Sequence, residues 1–136
     1  MIQEQYITFE TAKLLKKKGF KEITQAYINA DEEVYMLPFE QGVYELSDKQ
    51  YPYPTQQMAM RWLREKRRMD ICLGVKVFEP QSGKITGYSA HIWYKPSNNE
   101  GICCYWVDPP NKQECWESYE DACEASIQYC LKELME

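Results

Sequence analysis

Tyr51-Pro-Tyr-Pro-Thr-Gln-Gln-Met-Ala-Met-Arg-Trp-Leu-Arg-Glu-Lys-Arg-Arg68 is the stretch whose reading decides the fold. A residue that precedes a proline is pushed out of the helical region, so Tyr51 to Pro54 must run extended. Thr55 then offers a side-chain oxygen that can cap a helix. Behind it Met58, Trp62 and Met69, with Ala59 and Leu63 alongside, repeat at helical spacing and form a stripe for burial. Arg61, Arg64, Lys66, Arg67 and Arg68 fall on the remaining surface, and Asp70 is expected to close the helix. This is the one strongly basic segment of an acidic chain.

Beyond the helix the hydrophobic period switches from 3.6 to two. Ile71, Leu73, Val75 and Val77 alternate with Cys72, Gly74, Lys76 and Phe78, the pattern of a strand with two different faces. Pro80–Gly83 reads as a turn and 85–95 as the returning strand. That loop pairs Val75 with Tyr88, Leu73 with Ala90 and Ile71 with Ile92, and a slip of one residue would destroy the match of apolar sets. A second turn at 96–101 leads into a third strand, 102–107, with Cys103, Tyr105 and Val107 on the face of Ile92. Ser118-x-x-Asp121 then opens a closing helix with the stripe Cys123, Ile127, Cys130, Leu131 and Leu134.

Upstream, Thr8 caps a first helix that Gly19 can end in a left-handed conformation, with Phe20 packing back on Leu15. Lys16, Lys17 and Lys18 sit in its last turn, where cations suit the helix dipole. Runs 23–28 and 34–37 flank Asn-Ala-Asp-Glu as a candidate hairpin, and 38–50 reads as loop. The whole is an α+β fold. A three-stranded antiparallel meander packs against helices as a two-layer sandwich, with an N-terminal helix and the extra hairpin. All 136 residues form a single domain: 1–50 carry the helix, hairpin and loop, and 51–136 the helix–three strands–helix core.

At 44% hydrophobic and 27% charged residues the composition is that of an ordinary globular protein rather than a disordered one. The N-terminal residues lack a basic and an apolar region, and no apolar run approaches the roughly 18 residues of a membrane span. A cytoplasmic protein without a membrane partner is expected. Its six cysteines are then thiols rather than disulfides. With no Cys-x-x-Cys and a single histidine they make no metal site, and no cofactor is expected. Residues 1–68 carry 11 basic and 10 acidic side chains, for +1, whereas 69–136 carry 5 and 11, for −6. Helix, three strands and helix is also the element order of the double-stranded-RNA-binding domain. Those domains hold phosphate with lysines at the start of the last helix, where this chain has Ser118-Tyr-Glu-Asp121.

Two surfaces remain as candidate sites. The register places Phe78, His91, Trp93 and Trp106, with Cys104, on the sheet face away from the helices. Either residues 1–50 fold across this face, or it is an aromatic docking surface for a protein partner or a second copy. The other surface is the basic patch of Arg61, Arg64, Lys66, Arg67 and Arg68, the one place where nucleic acid could bind. Cys104, diagonal to His91, is the one nucleophile arrangement the sequence permits, and no oxyanion hole or orienting group accompanies it. Glycine-rich phosphate loops and the common hydrolase and metalloprotease motifs are absent from the sequence. No residue is therefore assigned to catalysis.

Thr8-Phe-Glu-Thr-Ala-Lys-Leu-Leu-Lys-Lys-Lys-Gly-Phe20, Pro54-Thr-Gln-Gln-Met-Ala-Met-Arg-Trp-Leu-Arg-Glu65 and Ser118-Tyr-Glu-Asp-Ala-Cys-Glu-Ala125 together resemble a group of small uncharacterised proteins. These are carried by phages and mobile elements of gut anaerobes, and the likeness spans most of the chain. The resemblance implies a phage or mobile-element origin and a cytoplasmic setting. It implies no activity and transfers no functional residue. The function expected is non-enzymatic, through protein–protein binding or self-association, with accessory nucleic-acid binding by the 61–68 helix as the alternative.

Overall fold

A computed structural model of the chain describes residues 4–36, 46–97 and 100–135. Residues 37–45 of the expected strand end and loop, and Asn98 and Asn99 of the second turn, lie outside the described residues. The elements are α1 (Phe9–Lys17), β1 (Ala26–Asn29), β2 (Val34–Met36), β3 (Gln50–Pro52), α2 (Gln56–Arg67), β4 (Met69–Phe78), β5 (Ile85–Tyr94), β6 (Cys103–Trp106) and α3 (Tyr119–Tyr129). A π-helical turn, Cys130–Leu134, continues α3. Among the described residues there are two three-stranded antiparallel sheets, ordered β2-β1-β3 and β4-β5-β6, so the α+β class is as the sequence implies.

The first helix begins and ends for the reasons its sequence offers. Thr8 is extended, and its hydroxyl accepts from the Thr11 amide. At the other end Gly19 has φ +90°, and the Gly19 and Phe20 amides donate to the carbonyls of Lys16 and Leu15. That pair of bonds is the Schellman stop. The lysines of the last turn do more than suit the dipole. Lys16 Nζ donates to the carbonyls of Ser47 and Gln50 and lies over the Tyr51 ring, while Lys18 Nζ reaches the Met135 carbonyl at 3.1 Å. They tie α1 to β3 and to the C-terminal turn.

The hairpin is present, with Tyr27 opposite Tyr35 and their rings stacked 5.1 Å apart. The extended Tyr51-Pro52 segment proves to be a strand, β3, pairing β1 on its other edge. Tyr6 pairs Thr55, and its ring stacks on Tyr53 at 4.9 Å, so the chain start is laced to the lead-in of α2. Thr55 caps α2 as expected, accepting from the Met58 amide. The buried face is Gln56, Ala59, Met60, Trp62 and Leu63, and Met58 is only half-buried. Asp70 does not close the helix. Arg68, left-handed at φ +60°, turns the chain, and Met69 and Asp70 already belong to β4.

The β4–β5 register is the one the apolar alternation dictates: Ile71 opposite Ile92, Leu73 opposite Ala90, Val75 opposite Tyr88. The alternation then fails at a bulge, which sets Val77 opposite Gly87 and Phe78 opposite Ile85. A Cβ on Gly87 would stand 2.9 Å from the Val77 Cβ, so the glycine is what admits Val77 there. Beyond β6 the chain loops out through left-handed Asn111 and Lys112 and returns at Trp116. Trp116 exchanges two 2.8 Å backbone bonds with Tyr88, continuing the sheet edge that β6 leaves.

Helices α2 and α3 pack on β4 and β5. Leu63, Met69, Ile71, Ala90, Ile92, Cys123, Ile127 and Leu131 are buried together in one core with Ile7, Leu15 and Phe20 of the N-terminal segment. Each large apolar side chain hidden this way contributes about 1.5–3 kcal/mol.

Candidate functional site

The face of β4–β6 turned away from the helices is built in rows across the strands. One row is Asp70, Trp93 and Cys104, and the next is Cys72, His91 and Trp106. A third holds only Gly74 and Ser89, which stand so close that a Cβ on the glycine would meet the serine oxygen at 2.9 Å. The His91 ring lies 5.7 Å from Trp93, edge to face, and 5.0 Å from Trp106. His91 is half-buried between them, and its Nδ1 has no hydrogen-bond partner among the described residues. Trp93 and Trp106 are 45% and 62% exposed.

The structure thus brings His91, Trp93 and Trp106 together and leaves Phe78 out. The bulge ends the alternation that would keep Phe78 in line, and six residues of strand separate it from Cys72, about 20 Å. It stands exposed near the hairpin tip beside Val75 and Val77. The described part of residues 1–50 does not cover the face. Phe20 packs edge-on to Trp62 at 5.2 Å and Phe9 on Tyr51 at 5.6 Å, in and beside the core on the other side of the molecule's sheet.

Cys104 lies diagonal to His91, where the sequence places it, and Cys72 sits directly opposite His91 on the other side. Burial, then the neighbouring Asp70 and Cys104, raise the Cys72 pKa. That opposes the thiolate a nucleophile requires. Cys123 and Cys130 are buried in the core, and burial pushes both up to about 12. They behave as small apolar residues, as the stripe predicts. Among the described residues no group of three or more His, Cys, Asp or Glu could hold a metal ion. No helix among them is long and apolar enough to cross a membrane.

The basic patch divides. Arg61 pairs with Glu65 at 3.1 Å, an exposed (i, i+4) contact worth a few tenths of a kcal/mol. Arg67 lies 5.3 Å over the Trp62 ring and donates to the Lys18 carbonyl at 2.8 Å. Arg64, Lys66 and Arg68 are exposed without a carboxylate partner among the described residues. Among the described residues, no acidic residue of the second half forms an ion pair with this helix.

Sequence reasoning missed the main polar junction. Glu124 Oε2 accepts from the Thr8 amide at 3.1 Å, from the Thr8 hydroxyl at 3.0 Å and from the Thr11 hydroxyl. Its Oε1 accepts from Gln56 Nε2 at 3.0 Å. One carboxylate therefore sits at the N-terminus of α1 and joins α1, α2 and α3, stabilised there by the helix dipole. Its partners lie 68 to 116 residues away in the chain, so no local pattern reveals it. No protein-family model, curated protein or solved structure matches the chain.

Proposed function

We propose that this protein acts by binding protein through the outer face of β4–β6, a second copy of the chain being the first partner, and not by catalysis. The observation that carries the reading is the pair of open tryptophans, Trp93 and Trp106, set on either side of His91 with their rings edge-on and tilted to it. Tryptophans at a flat, water-facing surface are the residue type that dominates interface hot spots. Beside this ridge lies the shallow Gly74–Ser89 row on the same face. Ridge and trough on one surface suit a two-fold contact, in which each copy presents the same patch. The phage or mobile-element setting that the resemblance implies belongs to the same proposal, as does a cytoplasmic location.

Tryptophan fluorescence followed across protein concentration tests the reading. A blue shift that grows with concentration, and is lost in Trp93→Ala/Trp106→Ala, is the expected result. A spectrum independent of concentration in the wild-type protein would remove the self-association version. Accessory nucleic-acid binding is the second reading, favoured by the absence of carboxylate partners for Arg64, Lys66 and Arg68 among the described residues. Phosphate contacts would make such binding fall steeply with salt.

A further inference from the structure

Where α2 turns into β4 the surface opens into a cleft of about 730 Å³. That is the size range of small-molecule sites. Lys66, Arg67 and Arg68 line it together with Tyr94, Pro96 and Leu134, and its lining is mainly polar. The Lys18 ammonium, outside the lining, donates to the carbonyl of Met135, which is part of it. None of the described lining residues is acidic.

The cleft is built rather than incidental. Arg67 is fixed by the Trp62 ring and the Lys18 carbonyl, and Gly19 leaves it room, since a Cβ there would stand 3.2 Å from Nη2. A guanidinium carries five N–H groups, so donors remain after the Lys18 bond. The dipole at the end of α2 explains why cations occupy its last turn. It does not explain Arg68, which lies past the helix and whose carbonyl accepts from the Lys95 amide at 3.2 Å.

We propose that this cleft binds a small phosphate-bearing ligand of the nucleotide class, its phosphates held by Lys66, Arg67 and Arg68 and its base lying against Tyr94. The site is separate from the aromatic docking face, and either can fail without the other. A small ligand fits better than a polynucleotide. The chain carries a net charge of −5, concentrated in residues 69–136, which repels a long polyanion once it leaves the cleft.

Calorimetric titration of the full chain with ADP, pyrophosphate and a single-stranded oligonucleotide at low salt is the test. One-to-one ADP binding is expected, weakened about tenfold or more in Lys66→Ala and in Arg68→Asn, the loss typical of one charge-assisted hydrogen bond. Asparagine at 68 keeps the left-handed turn while removing the charge. Arg64→Ala removes the same charge outside the cleft and should leave ADP affinity within about twofold. Tyr94→Ala should weaken ADP but not pyrophosphate. Absence of ADP and pyrophosphate binding would overturn the proposal. So would an Arg64→Ala loss equal to that of Lys66→Ala, or an oligonucleotide preferred over ADP.

Discussion

Replacing Glu124 by alanine should be among the most damaging single changes in the chain. The Thr11 hydroxyl is fully buried and donates to this carboxylate, while it accepts from Gln128 and has the Thr8 oxygen 3.1 Å away. Gln56, 4% exposed, gives one N–H to the Glu120 carbonyl and the other to Glu124. Alanine orphans one Gln56 N–H and leaves the Thr11 hydroxyl only the Thr8 oxygen to turn to, and a buried unsatisfied donor costs about 1–3 kcal/mol. The exposed Thr8 groups can turn to water, but α1 also loses the anion at its N-terminus, a further ~0.5 kcal/mol. The expected loss is about 2–4 kcal/mol, a large share of the 5–15 kcal/mol typical of a domain. Urea unfolding measures it, as a lower midpoint at unchanged slope. In Glu124→Ala/Thr11→Val both partners of the hydroxyl bond are gone, so the double variant should be more stable than the two single losses added together. A Glu124→Ala loss under about 1 kcal/mol would refute the view that this junction holds the three helices.

Gly19→Ala forces a side chain into φ +90° and against Arg67, and should cost about 1–2 kcal/mol by the same unfolding assay. Cys123 and Cys130 should resist alkylation in the folded protein while exposed Cys103 and Cys104 react, as peptide mapping after brief iodoacetamide treatment would show. Because burial holds the two core thiols protonated up to about 12, whereas in the unfolded chain they ionise near 9, they leave stability flat below pH 9. Stability should then fall as pH rises from about 9 towards 12, since the unfolded state alone releases these protons. Cys123→Ala/Cys130→Ala should lessen that alkaline fall in a pH series of urea midpoints.

What the sequence revealed and concealed follows from how local each signal is. The caps Thr8, Thr55 and Ser118, and the left-handed Gly19, are decided within one helical turn and stand where their residues put them. The β4–β5 register was legible because Ile71, Leu73 and Val75 face Ile92, Ala90 and Tyr88 only in one alignment. The bulge was not legible, since Val77 continues the alternation in sequence and only Gly87 on the opposite strand makes room for it. β3 was hidden by its length, three residues containing a proline, and shows itself only through its partner β1. Gln56 is buried because α3 packs on α2 and accepts both of its amide hydrogens, on a face of α2 that the apolar stripe alone leaves outside. The aromatic face was read at His91, Trp93 and Trp106 and lost at Phe78 for the same reason as the bulge. The basic belt was visible as composition, but its division into a paired Arg61, a stacked Arg67 and a cleft lined by Lys66 and Arg68 depends on where β4 begins.

Sedimentation equilibrium of the wild-type chain beside Trp106→Asp tests the central claim most directly. A wild-type mass that rises with concentration towards twice the 16.2 kDa of the chain is predicted, with the variant folded and held at the single-chain mass. A wild-type protein that stays at the single-chain mass throughout, or a Trp106→Asp variant that associates as the wild type does, would contradict it.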